Sequence, residues 1–94
     1  MARYRVVRWK DIPSLVEAWD AEGAVRRPLA QRFQDLIDAV AMREGASESE
    51  AYLEGWGSDP ERERPGGAEP VAEAVAAELE ALFGEWVDRY LGSR

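Results

Sequence analysis

Apolar residues recur every three to four positions in two stretches of the chain, a spacing that predicts two amphipathic helices. The first stretch covers residues 29 to about 44, between Pro28 and Gly45, which are typical neighbours of helix ends. The second covers residues 70 to 91, and Gly84 interrupts it. Their apolar positions are Phe33, Leu36, Ile37, Val40 and Ala41, then Val71, Val75, Leu79, Leu82, Phe83, Trp86, Val87 and Tyr90.

The start of the chain favours extended structure. Residues 4–9 are rich in strand-forming residues, and their apolar parity switches between Val6 and Val7. This switch indicates a bulge or a strand that is covered on both faces. Residues 11–14 are then predicted to turn the chain, with Pro13 ending any regular ladder.

Further strands are predicted on either side of the first helix. Residues 15–19 fit a strand or a short helix, and the hairpin-like turn at residues 20–23 favours the strand, followed by another at 24–26. Residues 52–56 are predicted as a strand, and residues 61–64 either extend it or lie in a loop. The chain is therefore predicted to be one α+β domain, residues 1–94, of order β-β-β-α-β-α. A small antiparallel sheet would carry the two helices packed on one face.

Composition excludes much catalytic chemistry. The chain has no His and no Cys, so it lacks a Ser-His-Asp triad, a thiolate nucleophile and zinc-finger ligands. We expect no metal, no cofactor and a protein that is not an enzyme. Its apolar runs are too short for a membrane span, and its first residues lack the core of a signal peptide, so a cytoplasmic protein is expected.

Charge is divided unevenly along the chain. Residues 1–45 carry a net charge of +1 and residues 46–94 a net charge of −8, which together give the −7 of the chain. This balance opposes nucleic-acid binding. Arg26, Arg27 and Arg32 surround the start of the first helix, where no acid lies in the first turn, so they could bind a small anion or an acidic partner. The competing interpretation, which we favour, is that acids of the second half pair with them.

Aromatic residues supply two further hypotheses. Trp9 and Trp19 lie near basic residues and are predicted to be the exposed pair of the four tryptophans, available for a partner. The second helix has an apolar stripe too wide for one sheet face and one other helix to cover. A homodimer is therefore predicted, with Phe83, Val87 and Leu91 at its contact.

Three motifs resemble a known family. Its opening motif, a short strand followed by a Trp, a basic residue and Asp-Ile-Pro, is present as Trp9, Lys10, Asp11, Ile12 and Pro13. Residues 27–42 are similar to its central helix, and residues 51–56 to the segment after it, whereas residues 57–60 depart from its pattern of a continuing strand with a second aromatic.

This family is the small bacterial "virulence factor" domain. The resemblance implies an accessory role beside folate- and corrinoid-dependent methyl transfer, and it supplies no catalytic residues to assign to this sequence. The function predicted is thus a non-catalytic cytoplasmic binding or accessory protein that contacts a protein partner or itself. The alternative is a small enzyme or ligand-binding subunit that acts on an anionic metabolite through the three arginines.

Overall fold

Three strands open the chain and form an antiparallel meander. The computed structural model describes residues 1–45 and 50–92. It confirms an α+β fold, a small antiparallel sheet with helices, and adds elements to the predicted order. The strands are β1 (Ala2–Trp9), β2 (Ile12–Asp20), β3 (Gly23–Pro28), β4 (Trp56–Ser58) and β5 (Arg62–Arg64). The helices are α1 (Gln31–Arg43), α2 (Glu50–Glu54), α3 (Ala68–Ala81) and α4 (Phe83–Leu91).

The β1–β2 pair contains a bulge. Val7 lies opposite Leu15, but Arg8 lies opposite Pro13, which leaves Ser14 as an extra residue on β2. Pro13 has no N–H to donate, so the ladder shifts beside it. The bulge indicated by the parity switch is confirmed, and residues 15–19 are a strand. The predicted turn at residues 11–14 is wrong, because the chain already turns at Lys10, whose φ is 55°.

Two short strands share the far edge of β1. Residues 7–9 of β1 pair with β4 and residues 2–4 pair with β5, so the sheet order is β3-β2-β1 followed by the two short strands. The predicted strand at residues 52–56 is mostly wrong, since residues 52–54 belong to α2. This helical turn presents the Tyr52 carbonyl to the Trp9 indole N–H, which donates to it at 2.7 Å.

One face of the sheet is covered by helices. Alternate residues of β1 and β2 point towards α1 and α3 and are buried there, among them Val6 and Val16. The single second helix that was predicted is two helices, because the helical conformation is interrupted at Leu82 (φ −99°, ψ 8°) between α3 and α4. The break lets α4 pack against α1, where Phe83 meets Phe33 edge to face at 4.9 Å. None of the helices in residues 1–45 and 50–92 is long and apolar enough to cross a membrane.

The carboxylate of Asp20 joins the β2–β3 turn to the start of α3. One oxygen accepts the backbone N–H groups of Glu22 (2.8 Å) and Gly23 (3.2 Å), and the other accepts that of Ala68 (2.8 Å). Ala68 is the first residue of α3, and its backbone N–H has no hydrogen-bond acceptor within the helix. Because these donors favour the charged form, they hold the pKa of Asp20 below its ordinary value of 3.8.

Replacement of Asp20 by Asn should reduce the free energy of unfolding at neutral pH, since the amide cannot accept all three bonds. The lowered pKa means that the charge stabilises the fold above pH 3.8 and that this contribution is lost as pH falls through the folded-state pKa. The difference between the parent and Asp20→Asn should therefore shrink in strong acid. Urea denaturation at a series of pH values measures it, with the exposed Glu22→Gln as control. A difference independent of pH would contradict the assignment.

Candidate functional site

The sheet face opposite the helices is open to solvent. We call it the outer face and define it by alternate residues of β1, β2 and β3, none of which is fully buried. Val7, Leu15 and Pro28 lie side by side in one row across the three strands. Trp19 lies between Arg3 and Ala24 in another row, so two apolar areas are exposed on the same face.

A charged row separates these two apolar areas. Glu17 lies between Arg5 and Arg26; it accepts a hydrogen bond from Arg5 at 2.7 Å and forms an ion pair with Arg26 at 3.4 Å. The guanidinium of Arg5 also lies 5.6 Å from the centre of the Trp19 ring, a distance typical of a cation–π contact. The outer face therefore carries a row in which two arginines share one acid, on a chain whose net charge is −7.

The three arginines proposed as an anion site engage different partners. Arg26 lies on the outer face with Glu17, whereas the next residue, Arg27, lies on the helix side and pairs with Glu73 of α3 at 2.9 Å. Arg32 donates to the Glu80 carbonyl at 3.1 Å and lies 4.5 Å from the Phe83 ring. Because neighbouring residues of a strand point to opposite faces, Arg26 and Arg27 do not converge. Anion binding by this group stays a prediction.

A carboxylate of the same chain occupies the start of α1. Glu80 of α3 accepts the backbone N–H of Ala30 at 3.0 Å, and the Arg27 guanidinium lies 4.0 Å from the same oxygen. This is the position where the helix N-terminus and the arginines favour an anion. Acids from the second half of the chain thus contact Arg27 here, as the competing interpretation of the sequence expected.

The two tryptophans predicted to be exposed differ from each other. The prediction is wrong for Trp9, which is 0% exposed and packs 5.8 Å from the Tyr52 ring. Exposure was inferred from the basic residues next to Trp9 in the sequence. Trp9 is instead covered by α2, which lies more than forty residues away in the chain, so its neighbours in sequence do not reveal its burial. Trp19 is half-buried on the outer face. The proposed dimer residues Phe83, Val87 and Leu91 are partly buried against the core, and self-association through them stays a prediction.

A cavity of about 210 Å³ lies where the edge of the sheet is interrupted. β4 ends at Ser58 and β5 begins at Arg62, and between them only the Asp59 N–H reaches the Val6 carbonyl, at 2.9 Å. Pro60 cannot donate to β1, so the ladder cannot continue. The departure of residues 57–60 from the family pattern thus coincides with this break. The cavity lining includes Tyr4, Val6, Arg8, Pro60, Arg62, Val75, Glu78 and Leu79.

Most charges around the cavity are paired. Arg8 donates through Nε to both oxygens of Asp59, at 2.9 Å and 3.0 Å, and Arg64 pairs with Glu78 through both carboxylate oxygens. The second pair lowers the pKa of Glu78 and raises that of Arg64. The side chain of Arg62 makes no hydrogen bond or ion pair with any residue that the structure describes. From the sequence, residues 61–64 were expected to extend the strand or to lie in a loop, and Arg62 was not singled out.

Asp11 anchors the C-terminal helix to the β1–β2 turn. Its carboxylate accepts from Arg89 and from the Tyr90 hydroxyl. Burial and this hydrogen bond raise the pKa of Tyr90 to about 12. This contact joins two parts of the chain that are almost eighty residues apart. In the described part of the chain, no three carboxylates converge in a way that could hold a metal ion.

The chain was compared with known proteins. A family model described as "Virulence factor" matches residues 7–86, which is most of the chain. The match includes β2, β3 and both long helices as well as the part of β1 beside the bulge. No curated protein and no solved structure matches the chain significantly.

Proposed function

We propose that this chain, which belongs to the virulence factor family, is a non-catalytic cytoplasmic binding protein that docks its outer face on an acidic surface of another protein. The observation that carries the proposal is Trp19, which is half-buried on a sheet face without a helix. Trp is enriched among the residues that dominate binding energy, particularly where its ring is held in place. The contact with Arg5 holds the Trp19 ring in this way.

The composition of the outer face supports a protein as the occupant. Its apolar row of Val7, Leu15 and Pro28 and the Trp19 area are separated by charges, which is the usual mixture of a non-obligate interface. Three strands of six to nine residues offer only a small patch, and small patches serve weak or transient contacts. A transient contact is what an accessory protein needs.

Charge selects the chemistry of the partner. Arg5 and Arg26 share the single acid Glu17, so this row of the outer face carries a net positive charge, whereas Arg3 is paired with both Glu61 and Glu63. An acidic surface is therefore attracted to this row, whereas a second copy would bring the same positive row against it. The resemblance to the family points to proteins of folate- and corrinoid-dependent methyl transfer as the partners to test first. The alternative, binding of an anionic metabolite through Arg26, Arg27 and Arg32, needs those arginines to leave their present partners.

The test uses purified proteins encoded beside the gene of this chain as probes. Their affinity for the full chain is measured by calorimetry, and Trp19→Ala should weaken binding by roughly 30-fold or more, as the loss of a dominant contact does. Arg26→Glu should slow association and reverse its salt dependence. The matched control is Met42→Ala on α1, which removes another large apolar side chain that is 70% exposed.

The outcomes separate the alternatives. Loss of binding in Trp19→Ala together with unchanged binding in Met42→Ala supports the outer face. Equal effects of both variants would contradict it, as would a probe that binds unchanged to Trp19→Ala. A chain that sediments as a dimer, and loses the dimer on Trp19→Ala, would identify a second copy as the occupant instead. Binding of a polyanion such as RNA in place of every protein probe would also overturn the proposal.

A further inference from the structure

The cavity between β4 and β5 is lined by both apolar and charged side chains. Val6 of β1 and Val75 and Leu79 of α3 supply aliphatic surface, and Tyr4 adds an aromatic side chain. Arg8 with Asp59 and Arg64 with Glu78 lie around it. Small-molecule sites in proteins likewise combine apolar surface with polar groups that fix the orientation of the ligand.

Arg62 gives this cavity an unneutralised positive charge. The other arginines of the lining have carboxylate partners: Arg5 pairs with Glu17, and Arg8 with Asp59. Both lining acids, Asp59 and Glu78, are already paired with arginines. Arg62 has no such partner among the described residues, and its planar guanidinium can donate two parallel hydrogen bonds to the two oxygens of a carboxylate.

The strand register places Arg62 on the cavity side. Arg62 lies opposite Tyr4 in the β1–β5 pair, and Arg64 lies opposite Ala2, which is buried. Arg62 and Arg64 therefore share the helix side of β5, while Glu63 lies opposite Arg3 on the outer face. Arg64 reaches Glu78 of α3 from this position, so the neighbouring Arg62 is held beside the same helix.

We propose that this cavity binds a small carboxylate with an apolar body, the carboxylate resting on Arg62 and the body against Val6, Val75 and Leu79. The size is adequate, because an enclosed cavity of about 150 Å³ can hold benzene and this one measures about 210 Å³. Arg62 and Trp19 lie on opposite faces of the sheet, and Arg5 is the residue that the cavity lining shares with the outer face.

The test follows backbone amide shifts of the full, isotope-labelled chain by NMR. Benzoate is the probe, acetate supplies the same charge without the ring, and benzyl alcohol supplies the ring without the charge. Benzoate should give saturable shifts around Val6, Arg62 and Leu79 and bind more tightly than the other two. Arg62→Gln should weaken benzoate binding by roughly tenfold or more, which is typical of losing a charged hydrogen-bond partner.

Two controls keep the result interpretable. Arg62 is exposed and unpaired, so Arg62→Gln should fold normally, and Arg62→Lys should retain part of the affinity because it retains the charge. Arg26→Gln removes an arginine that is 69% exposed on the outer face and should leave benzoate binding unchanged. Shifts that never saturate, equal binding of benzyl alcohol and benzoate, or equal loss in Arg62→Gln and Arg26→Gln would each overturn the proposal.

Discussion

Trp9→Ala is expected to destabilise the protein by about 3–5 kcal/mol, the usual cost of deleting a large buried aromatic side chain. Trp9 is 0% exposed and is the largest of the fully buried side chains. Its indole N–H also satisfies the Tyr52 carbonyl, which the substitution would leave without this donor. A domain of this size has a total stability of about 5–14 kcal/mol, so the variant should be close to unfolding. Urea denaturation monitored by circular dichroism measures the loss.

Two further variants separate the causes. Trp9→Phe keeps most of the ring and removes the donor to Tyr52, so it should fall between the parent and Trp9→Ala in stability. Trp19→Ala removes the same side chain from the half-buried outer face and should cost clearly less, because less apolar area is involved. If Trp9→Ala and Trp19→Ala destabilised equally, Trp9 would not be the centre of the core that the structure shows.

Local patterns of the sequence were enough to predict α1 and the hairpin formed by β2 and β3. The apolar spacing of α1 depends only on residues within the helix, and its buried residues are the five predicted: Phe33, Leu36, Ile37, Val40 and Ala41. The same reasoning merged α3 and α4, because the apolar stripe continues through Leu82. Nothing in that periodicity shows that α4 must turn towards α1 to place Phe83 against Phe33.

Contacts between distant residues could not be predicted in the same way. The sequence places Arg26 beside Arg27, and only the strand register puts one on the outer face and the other against Glu73 of α3. The unpaired state of Arg62 similarly depends on which acids the fold brings to Arg8 and Arg64. The sequence analysis could name the arginines and the acids, but their pairing is a property of the tertiary structure.

The close approach of Gly55 to Trp9 predicts a second large effect on stability. A Cβ atom at Gly55 would lie 2.5 Å from Nε1 of Trp9, 2.7 Å from Cε2 and 2.9 Å from Cδ1. Trp9 cannot move aside, because it is completely buried and its N–H is fixed on Tyr52. Gly55→Ala should therefore destabilise the protein by about 1–3 kcal/mol, as overpacking of a core does. For a domain of this size that lowers Tm by at least about 4 °C.

Gly57→Ala is the matched control for Gly55→Ala. It adds the same methyl group two residues later, where no atom lies within 4 Å of the new Cβ. Gly57 lies in β4 opposite Arg8 of β1. Because Ala loses less backbone entropy on folding than Gly, the Tm of Gly57→Ala should stay the same or rise slightly. The two melting curves, recorded by calorimetry, should separate clearly. Equal Tm values for the two variants would mean that the Trp9 side chain can shift away from residue 55. The segment from α2 to β4 would then not fix the position of the Trp9 indole ring.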